Sequence, residues 1–377
     1  MLPFGRMVKY GNKRPSNNIK KISCTTNNSV LVLTESGDLY GFGFNSGGEL
    51  GTGATTSVTS VIQIDTGVDD VWGGSLCAMY RKGDEFFGSG NGSYYGSSTV
   101  NSTTFVNVTH IFQDIDILNI KKIKMTTGLF ILMQNGNLYG CGVNTNCQFG
   151  TGEAVNFRYP IATLTQTDVV DFDILGNASI ILKTDGYMYS AGDNGRGQLG
   201  SAAATTVLVY TQISKFPNVT NLNLFGCTQS CSLFKDSDGK TWLSGNSYGI
   251  DYPVVATTLF SKEAPVPEGT FRFIHTRSGA NSPVICTPTG YYVAGTNPYG
   301  AYGIGTNVTL TAYTRMDSMD NYISNYNDVP VFDGCFYGTY FAVGERLFGA
   351  GNGNLGNVPG YTGTQRNYVE INYKNKP

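Results

Sequence analysis

The sequence predicts an all-β, seven-bladed propeller built from four-stranded blades. Three observations predict it. A short motif, roughly small-Gly-x-aromatic-small-x-Gly-x-Asn-x-x-Gly-x-Leu-Gly, recurs seven times, centred on Gly43, Gly90, Gly142, Gly192, Gly245, Gly295 and Gly351. The gaps between these centres are 47, 52, 50, 53, 50 and 56 residues, and a period near fifty marks a repeat architecture. No long stretch shows helical periodicity, which argues against solenoids of helix pairs.

Each unit reads as short strands joined by turns. An apolar run comes first, such as Val30-Leu31-Val32-Leu33 or Leu129-Phe130-Ile131-Leu132-Met133. A Gly-containing turn follows, as in Gln134-Asn135-Gly136-Asn137 and Thr184-Asp185-Gly186-Tyr187. An aromatic-rich run comes next (Leu39-Tyr40, Leu138-Tyr139, Met188-Tyr189). Two runs joined through Asn-Gly or Asp-Gly predict a hairpin, because these residues tolerate the positive φ of tight turns. The glycine that ends the second run lets another backbone or a ring approach closely. The Asn after it suits a side-chain-to-backbone turn. The apolar residue of the closing Gly-x-Leu-Gly (Leu50, Leu199, Leu355, and Phe149 in the third copy) is expected to plug the gap between units. Strand-like segments upstream, such as Val61-Ile62-Gln63-Ile64 and Val169-Val170-Asp171-Phe172, raise the count to about four strands per unit. That is the arithmetic of propeller blades.

Seven units of this length occupy residues 19–377 and leave a polar, basic leader, 1–18. The first unit begins at Ile19 and reads as having no upstream strand of its own, while Tyr368-Val369-Glu370-Ile371-Asn372-Tyr373 alternates like a strand after the last motif. The expected closure therefore places strand 367–373 in the first blade, pairing the two chain ends and removing sheet edges.

Asp185-Gly186-Tyr187-Met188-Tyr189-Ser190-Ala191-Gly192-Asp193-Asn194-Gly195-Arg196-Gly197-Gln198-Leu199-Gly200 closely resembles the regulator of chromosome condensation repeat. The first and third copies resemble it nearly as well, the others are degraded but in register, and the resemblance covers about residues 19–373. It implies the seven-bladed propeller of that family. It implies no particular activity, because the motif residues are structural. The family includes a nuclear guanine-nucleotide exchange factor, a plant ultraviolet photoreceptor and a secreted bacterial β-lactamase inhibitor. This chain has only Trp72 and Trp242, against the clustered tryptophans of the photoreceptor.

Charged residues make up 14% of the chain and the net charge is −2. That is a poor electrostatic footprint for nucleic acid, and no apolar run is long enough for a membrane span. The eight cysteines show no zinc spacing; Cys24, Cys77, Cys286 and Cys335 lie in strand-like runs, as buried free thiols do. His110 and His275 are the only histidines and sit in strand-like segments, with no Gly-x-Ser-x-Gly elbow in the chain. The acidic groups Asp65, Asp69, Asp70 and Asp168, Asp171, Asp173 suit turn and strand-cap duty, since no calcium-loop spacing surrounds them. The reading is of a protein without catalytic, metal or cofactor sites.

Two departures from the repeat are candidate partner-binding loops, because loops on a rigid scaffold carry recognition. One contains Pro265 and Pro267; the other contains Asp320, Tyr322 and Tyr326. The neutral, Tyr/Asn/Gly-rich composition suggests a structural or protein-docking module. The expected setting is a virion, as a phage tail, fibre or head-associated component assembled in the host cytoplasm and contacting other protein subunits. The alternative is a regulatory propeller that grips a globular partner as an exchange factor or an enzyme inhibitor does.

Overall fold

The computed structural model describes residues 17–374 apart from 97–100, 154–157, 175, 201–204, 224, 228–230, 246–256, 275–283, 298 and 328–329. Its strands form seven four-stranded antiparallel sheets, each from four strands consecutive in the chain. Sheets 1 to 7 span residues 19–65, 70–107, 120–166, 169–213, 225–263, 272–315 and 331–371. The first strands of neighbouring sheets pack together (Ile19–Cys24 on Asp70–Gly73, and that on Ile120–Met125), and Ile19–Cys24 also packs on Val331–Cys335 of the last sheet. First strands therefore line the middle of a β-propeller, and fourth strands its rim.

The chain ends do not share a blade as the sequence suggested. Strand Thr364–Ile371 pairs with Arg346–Asn352 and completes the seventh sheet. The first sheet already owns an inner strand, Ile19–Cys24, with Ile19, Ile22 and Cys24 buried and paired to Ser29–Thr34. The repeat frame starts one strand earlier than the apolar hairpins suggest, so no vacancy remains for the tail. Closure is made by contacts across a seam. Ile19 donates its N–H to the Gly344 carbonyl at 2.8 Å. Cys24 N–H donates to Asp333 Oδ2 at 2.8 Å. The Asn28 side chain accepts the Tyr337 N–H, and Asn357 Nδ2 donates to the Asn28 carbonyl, both at 2.8 Å.

Burial explains why such a seam holds. The apolar core is divided into seven clusters, each lying between two adjacent sheets. One of them joins Ile22, Cys24, Val30 and Phe42 of the first sheet to Cys335, Tyr340, Leu347 and Ile371 of the last. Phe42 meets Tyr340 edge-on at 5.6 Å, and Tyr40 meets Tyr373 at 5.3 Å. Burying such side chains stabilises by roughly 1.5–3 kcal/mol each, so the seam is held by the same force as every other interface.

The seven motif glycines serve geometry. Each has positive φ, from 79° at Gly90 to 135° at Gly351. Each also sits where the ladder to the fourth strand slips register, for example between Gly41 and Gly43 and between Gly349 and Gly351. The result is a β-bulge that turns the fourth strand outward. The motif Asn then ties its own loop: Asn45, Asn144, Asn194 and Asn297 accept the N–H of Leu50, Phe149, Leu199 and Tyr302 at 2.8, 2.9, 3.0 and 3.2 Å. Leu50, Phe149 and Leu199 are buried plugs as the sequence suggested. Leu355's side chain lies outside the described residues. Tyr95 and Tyr302, also buried, fill the same role where the motif is degraded; Tyr95 packs against Gly88.

One plug turn carries a buried charge. Glu49 is fully buried and accepts from Asn27 Nδ2 at 2.5 Å and Gly47 N–H at 3.0 Å. Burial raises its pKa above the ordinary glutamate value, against the pull of these hydrogen bonds. A raised folded-state pKa means the folded chain holds the proton more tightly than the unfolded one. The site's contribution is therefore greatest in acid and is lost as pH rises through the ordinary carboxylate range to the folded value. Gln148 and Gln198 occupy the equivalent positions, each accepting a turn N–H through Oε1. Glu49→Gln should accordingly raise stability at pH 7 by about 1 kcal/mol, with the gain shrinking below about pH 4. Urea unfolding at the two pH values checks this; a loss at pH 7, or an equal change at both, contradicts it.

Candidate docking face and channel

Four-stranded meanders leave each sheet with two ends. One end of the ring carries the first turns and the motif loops. The other carries the Gly-containing hairpins and the connections from each fourth strand to the next first strand. Val68 N–H donating to Gly37 O at 2.9 Å and Val219 N–H to Gly186 O at 2.9 Å tie those connections to the hairpins. We call the two ends the motif face and the connection face. The longer connections, 108–119, 214–223, 264–271 and 316–327, lie on the connection face.

The candidate residues of the sequence fall there. Arg315 organises the 316–327 connection: its guanidinium bonds Asp317 at 2.7 Å, Asp320 at 2.5 and 2.9 Å, and the Thr289 carbonyl at 2.7 and 3.0 Å. The Tyr326 hydroxyl donates to Asp320, and its ring stacks edge-on against Tyr291 at 5.2 Å. The Arg315 hydrogen bonds hold the Asp320 carboxyl below its ordinary pKa. Burial and the Asp320 carboxylate push the Tyr326 hydroxyl up. Tyr322 is half-buried and stacks on Phe348 at 4.1 Å. The structure thus brings Asp320, Tyr322 and Tyr326 into one folded loop, and Tyr322 faces inward more than outward. Pro265 and Pro267 stand apart, beyond the Thr287–Gly290 hairpin, where Pro288 packs near Gly269 and Thr289 meets Arg315. Thr270 Oγ1 donates to the Pro267 carbonyl at 2.5 Å and Lys235 to the Thr270 carbonyl at 2.7 Å.

Arg315→Ala should free this loop. Charge-assisted bonds of this kind contribute about 1.5–3 kcal/mol each, here mostly to local order. Limited chymotrypsin digestion should cut at Tyr322 or Tyr326 at least tenfold faster in the variant, with little change in the global unfolding midpoint. Unchanged cleavage would show that the loop is held by its rings alone.

Sequence reasoning missed the most exposed apolar side chain of this face. Leu118, on the short turn Ile117–Asn119, is 80% exposed. The signal was present in Ile115-Asp116-Ile117-Leu118, an apolar cluster in a connection that burial does not require. His110 lies in a neighbouring 3-10 turn, Thr109–Phe112, rather than a strand. His275 lies outside the described residues.

The aspartate groups have a different role from turn capping alone. The inner strands form ion pairs across neighbouring sheets: Lys21 to Asp70 at 2.7 Å, Lys122 to Asp171 at 2.6 Å and Lys124 to Asp173 at 2.6 Å. Lys20 and Lys121 reach the carbonyls of Asp69 and Val170 at 2.6 and 2.7 Å. A lysine facing an aspartate one repeat later is the signal that could have found them. Burial pushes the Lys122 pKa down and Lys124 adds to this, while Asp173 and Asp171 pull it back up. Lys21, Trp72, Lys122, Lys124, Asp173 and Asp333 border a cavity of about 250 Å³ between these strands. Each of its three lysines has a carboxylate partner, so the wall is close to neutral and holds sheets in register. Among the described residues no three His, Cys, Asp or Glu side chains converge as metal ligands would, and no helix is long and apolar enough to cross a membrane.

The fold has known counterparts. No family model matches the chain. Prp20, the RCC1 protein of Saccharomyces cerevisiae, superposes with a TM-score of 0.70 at 14% identity, over 96% of this chain and 88% of Prp20. Yeast Prp20 in its complex with Kap60 gives 0.68 at 15% identity, over 99% and 91%. Human WBSCR16 gives 0.53 at 16%, over 94% and 82%. The chain therefore has the fold of an RCC1-like β-propeller.

Proposed function

We propose that the seven sheets act as the blades of one ring whose connection face docks a globular protein, with no catalysis by this chain. The observation that carries this reading is the chemistry of that face. Exposed charges of both signs stand on it around the ring, Glu35, Asp84, Asp116, Asp185 and Asp238 beside Lys82, Lys240 and Arg346, with Glu345 paired to Lys374, and Leu118 projects among them. The motif face is Ser-, Thr- and Gly-rich, and its Glu49 is buried. A charged rim around an apolar knob suits a partner with a complementary charged surface and a pocket, since charge complementarity steers encounter and an apolar anchor slows release. Protein binding by RCC1-like propellers supports it: the Prp20 structures concern binding to Kap60, Gsp1p and histones. A regulatory propeller is thus better supported than a virion component, for which composition alone argues.

The test is reconstitution with a purified partner obtained by affinity capture. We expect a stoichiometric complex whose affinity falls with added salt. Leu118→Asp should weaken it at least tenfold, while Val308→Asp on the motif-face side should not. An affinity unchanged by Leu118→Asp, or lost with Val308→Asp, would remove the connection face from consideration. Whether docking speeds nucleotide release or inhibits an enzyme is then read in the partner's own assay.

A further inference from the structure

The seam between the first and last sheets holds a pair of thiols from opposite ends of the chain. Cys24 ends the inner strand of sheet 1 and Cys335 ends that of sheet 7. Both are fully buried in the same apolar cluster. The two side chains interact across the interface, and both thiols are free. The strands carrying them are fixed to one another, because the Cys24 N–H is held by Asp333 Oδ2 at 2.8 Å, two residues before Cys335. Around the Cys335 sulfur, Asn357 Nδ2 donates at 3.7 Å and the Tyr340 oxygen lies at 4.0 Å, its own proton going to the Asn357 carbonyl at 2.6 Å, with the Tyr337 and Gly338 backbone beside it.

We propose that Cys24 and Cys335 are a redox modification site at which a small-molecule disulfide converts the non-covalent seam into a covalent ring closure. The chemistry is thiol–disulfide exchange. The Cys335 thiolate attacks one sulfur of the oxidant RSSR, forming a Cys335–SR mixed disulfide and expelling RS⁻. Cys24 then loses its proton and attacks the Cys335 sulfur, expelling the second RS⁻. Two thiols and one RSSR become one Cys24–Cys335 disulfide and two RSH, so electrons and protons balance. Burial disfavours the charged form of Cys335, but the hydrogen bonds from Cys24 and the Tyr337 and Gly338 backbone hold the thiol below its ordinary pKa. That makes Cys335 the attacking sulfur. Access comes from local opening of the seam, where the two sheets are far apart in sequence and no strand crosses.

The consequence is specific to this fold. A bond between residues 24 and 335 encloses nearly the whole chain, and loops of that size constrain the unfolded state most. The reduced protein has an openable ring; the oxidised one does not.

The experiment uses the full-length chain, purified under reductant and equilibrated with oxidised glutathione. Residual thiols are blocked in denaturant, and the non-reduced digest is mapped by mass spectrometry. We expect a linked Cys24–Cys335 peptide pair. The thermal midpoint should rise by several degrees on oxidation and return with dithiothreitol. In Cys24→Ser the rise should vanish, and because Ser can still hydrogen-bond at that position the reduced variant should fold. Cys335→Ala is the second variant and should behave alike. Quantitative alkylation of both cysteines after equilibration overturns the proposal. So does a linked pair that leaves the midpoint unchanged.

Discussion

Gly351→Ala should cost at least about 3 kcal/mol and stop the last sheet from completing the ring. Two independent penalties combine. Gly351 has φ of 135°, a conformation that costs an L-residue roughly 1–3 kcal/mol. A methyl group there would also overlap the Tyr337 carbonyl oxygen and crowd Gly338 Cα, and backbone atoms cannot rotate away as a side chain can. The same collision recurs at Gly43 against the Asn28 carbonyl, at 2.5 Å, and at Gly192 against that of Asn177, at 2.6 Å. Gly351 is the most consequential of the three because Tyr337 and Asn357, on either side of it, bond Asn28 across the seam. Chemical denaturation of the purified variant measures the loss. A change under 1 kcal/mol would mean that the bulge relaxes freely and that the motif glycines are not geometrically required.

Phe149→Ala should be comparably damaging, by about 3–5 kcal/mol, the usual range for emptying a buried phenylalanine site. The ring is fully buried between the third and fourth sheets. It meets Phe130 edge-on at 4.7 Å and Tyr159 at 5.7 Å. Gly128 and Gly140 lie against it so closely that a methyl on either would fall 2.7–2.8 Å from the ring. Glycine backbone cannot move in to fill the hole, so the cavity persists. Phe149→Leu restores the residue found at Leu50 and Leu199 and should recover more than half the loss. Equal destabilisation by Ala and Leu would show that the aromatic contacts, rather than filled volume, carry the site.

These two sites show what could be read from the residues. The motif glycines and the plugs Leu50, Phe149 and Leu199 were legible because each is fixed by its neighbours in the chain: positive φ and a bulge recur at all seven motif glycines, while the plugs Tyr95 and Tyr302 were hidden where the motif is degraded. The partner of the last strand was not legible. Tyr368-Val369-Glu370-Ile371 alternates as any outer strand would, and nothing local distinguishes pairing with Arg346–Asn352 from pairing with the first sheet. What decided it was that Ile19–Cys24 is itself an inner strand, a fact hidden by its charged Lys20-Lys21. Lys21 is neutralised by Asp70 of the next sheet and Lys20 bonds the Asp69 carbonyl there, relations visible only at the distance of one repeat. The loop after Arg315 was legible as an insertion, through Asp320, Tyr322 and Tyr326, but not its anchor: Arg315 reads as an ordinary strand residue until the fold turns it back onto Asp320. Leu118 was missed because the short Ile115-Asp116-Ile117-Leu118 run lies in a connection, outside the periodic motif that guided the reading.

The account rests most heavily on the ring being closed by the seventh sheet lying against the first. Amide hydrogen exchange at Ile19, Cys24 and Tyr337 tests it most directly, since each N–H is donated across the seam, to Gly344 O, Asp333 Oδ2 and Asn28 Oδ1. We predict protection at all three comparable to that of the buried second strands, with Asp333→Ala releasing Cys24 selectively. Exchange at the rate of exposed turns at all three positions in the native protein would mean that the ring stands open, and would contradict the account.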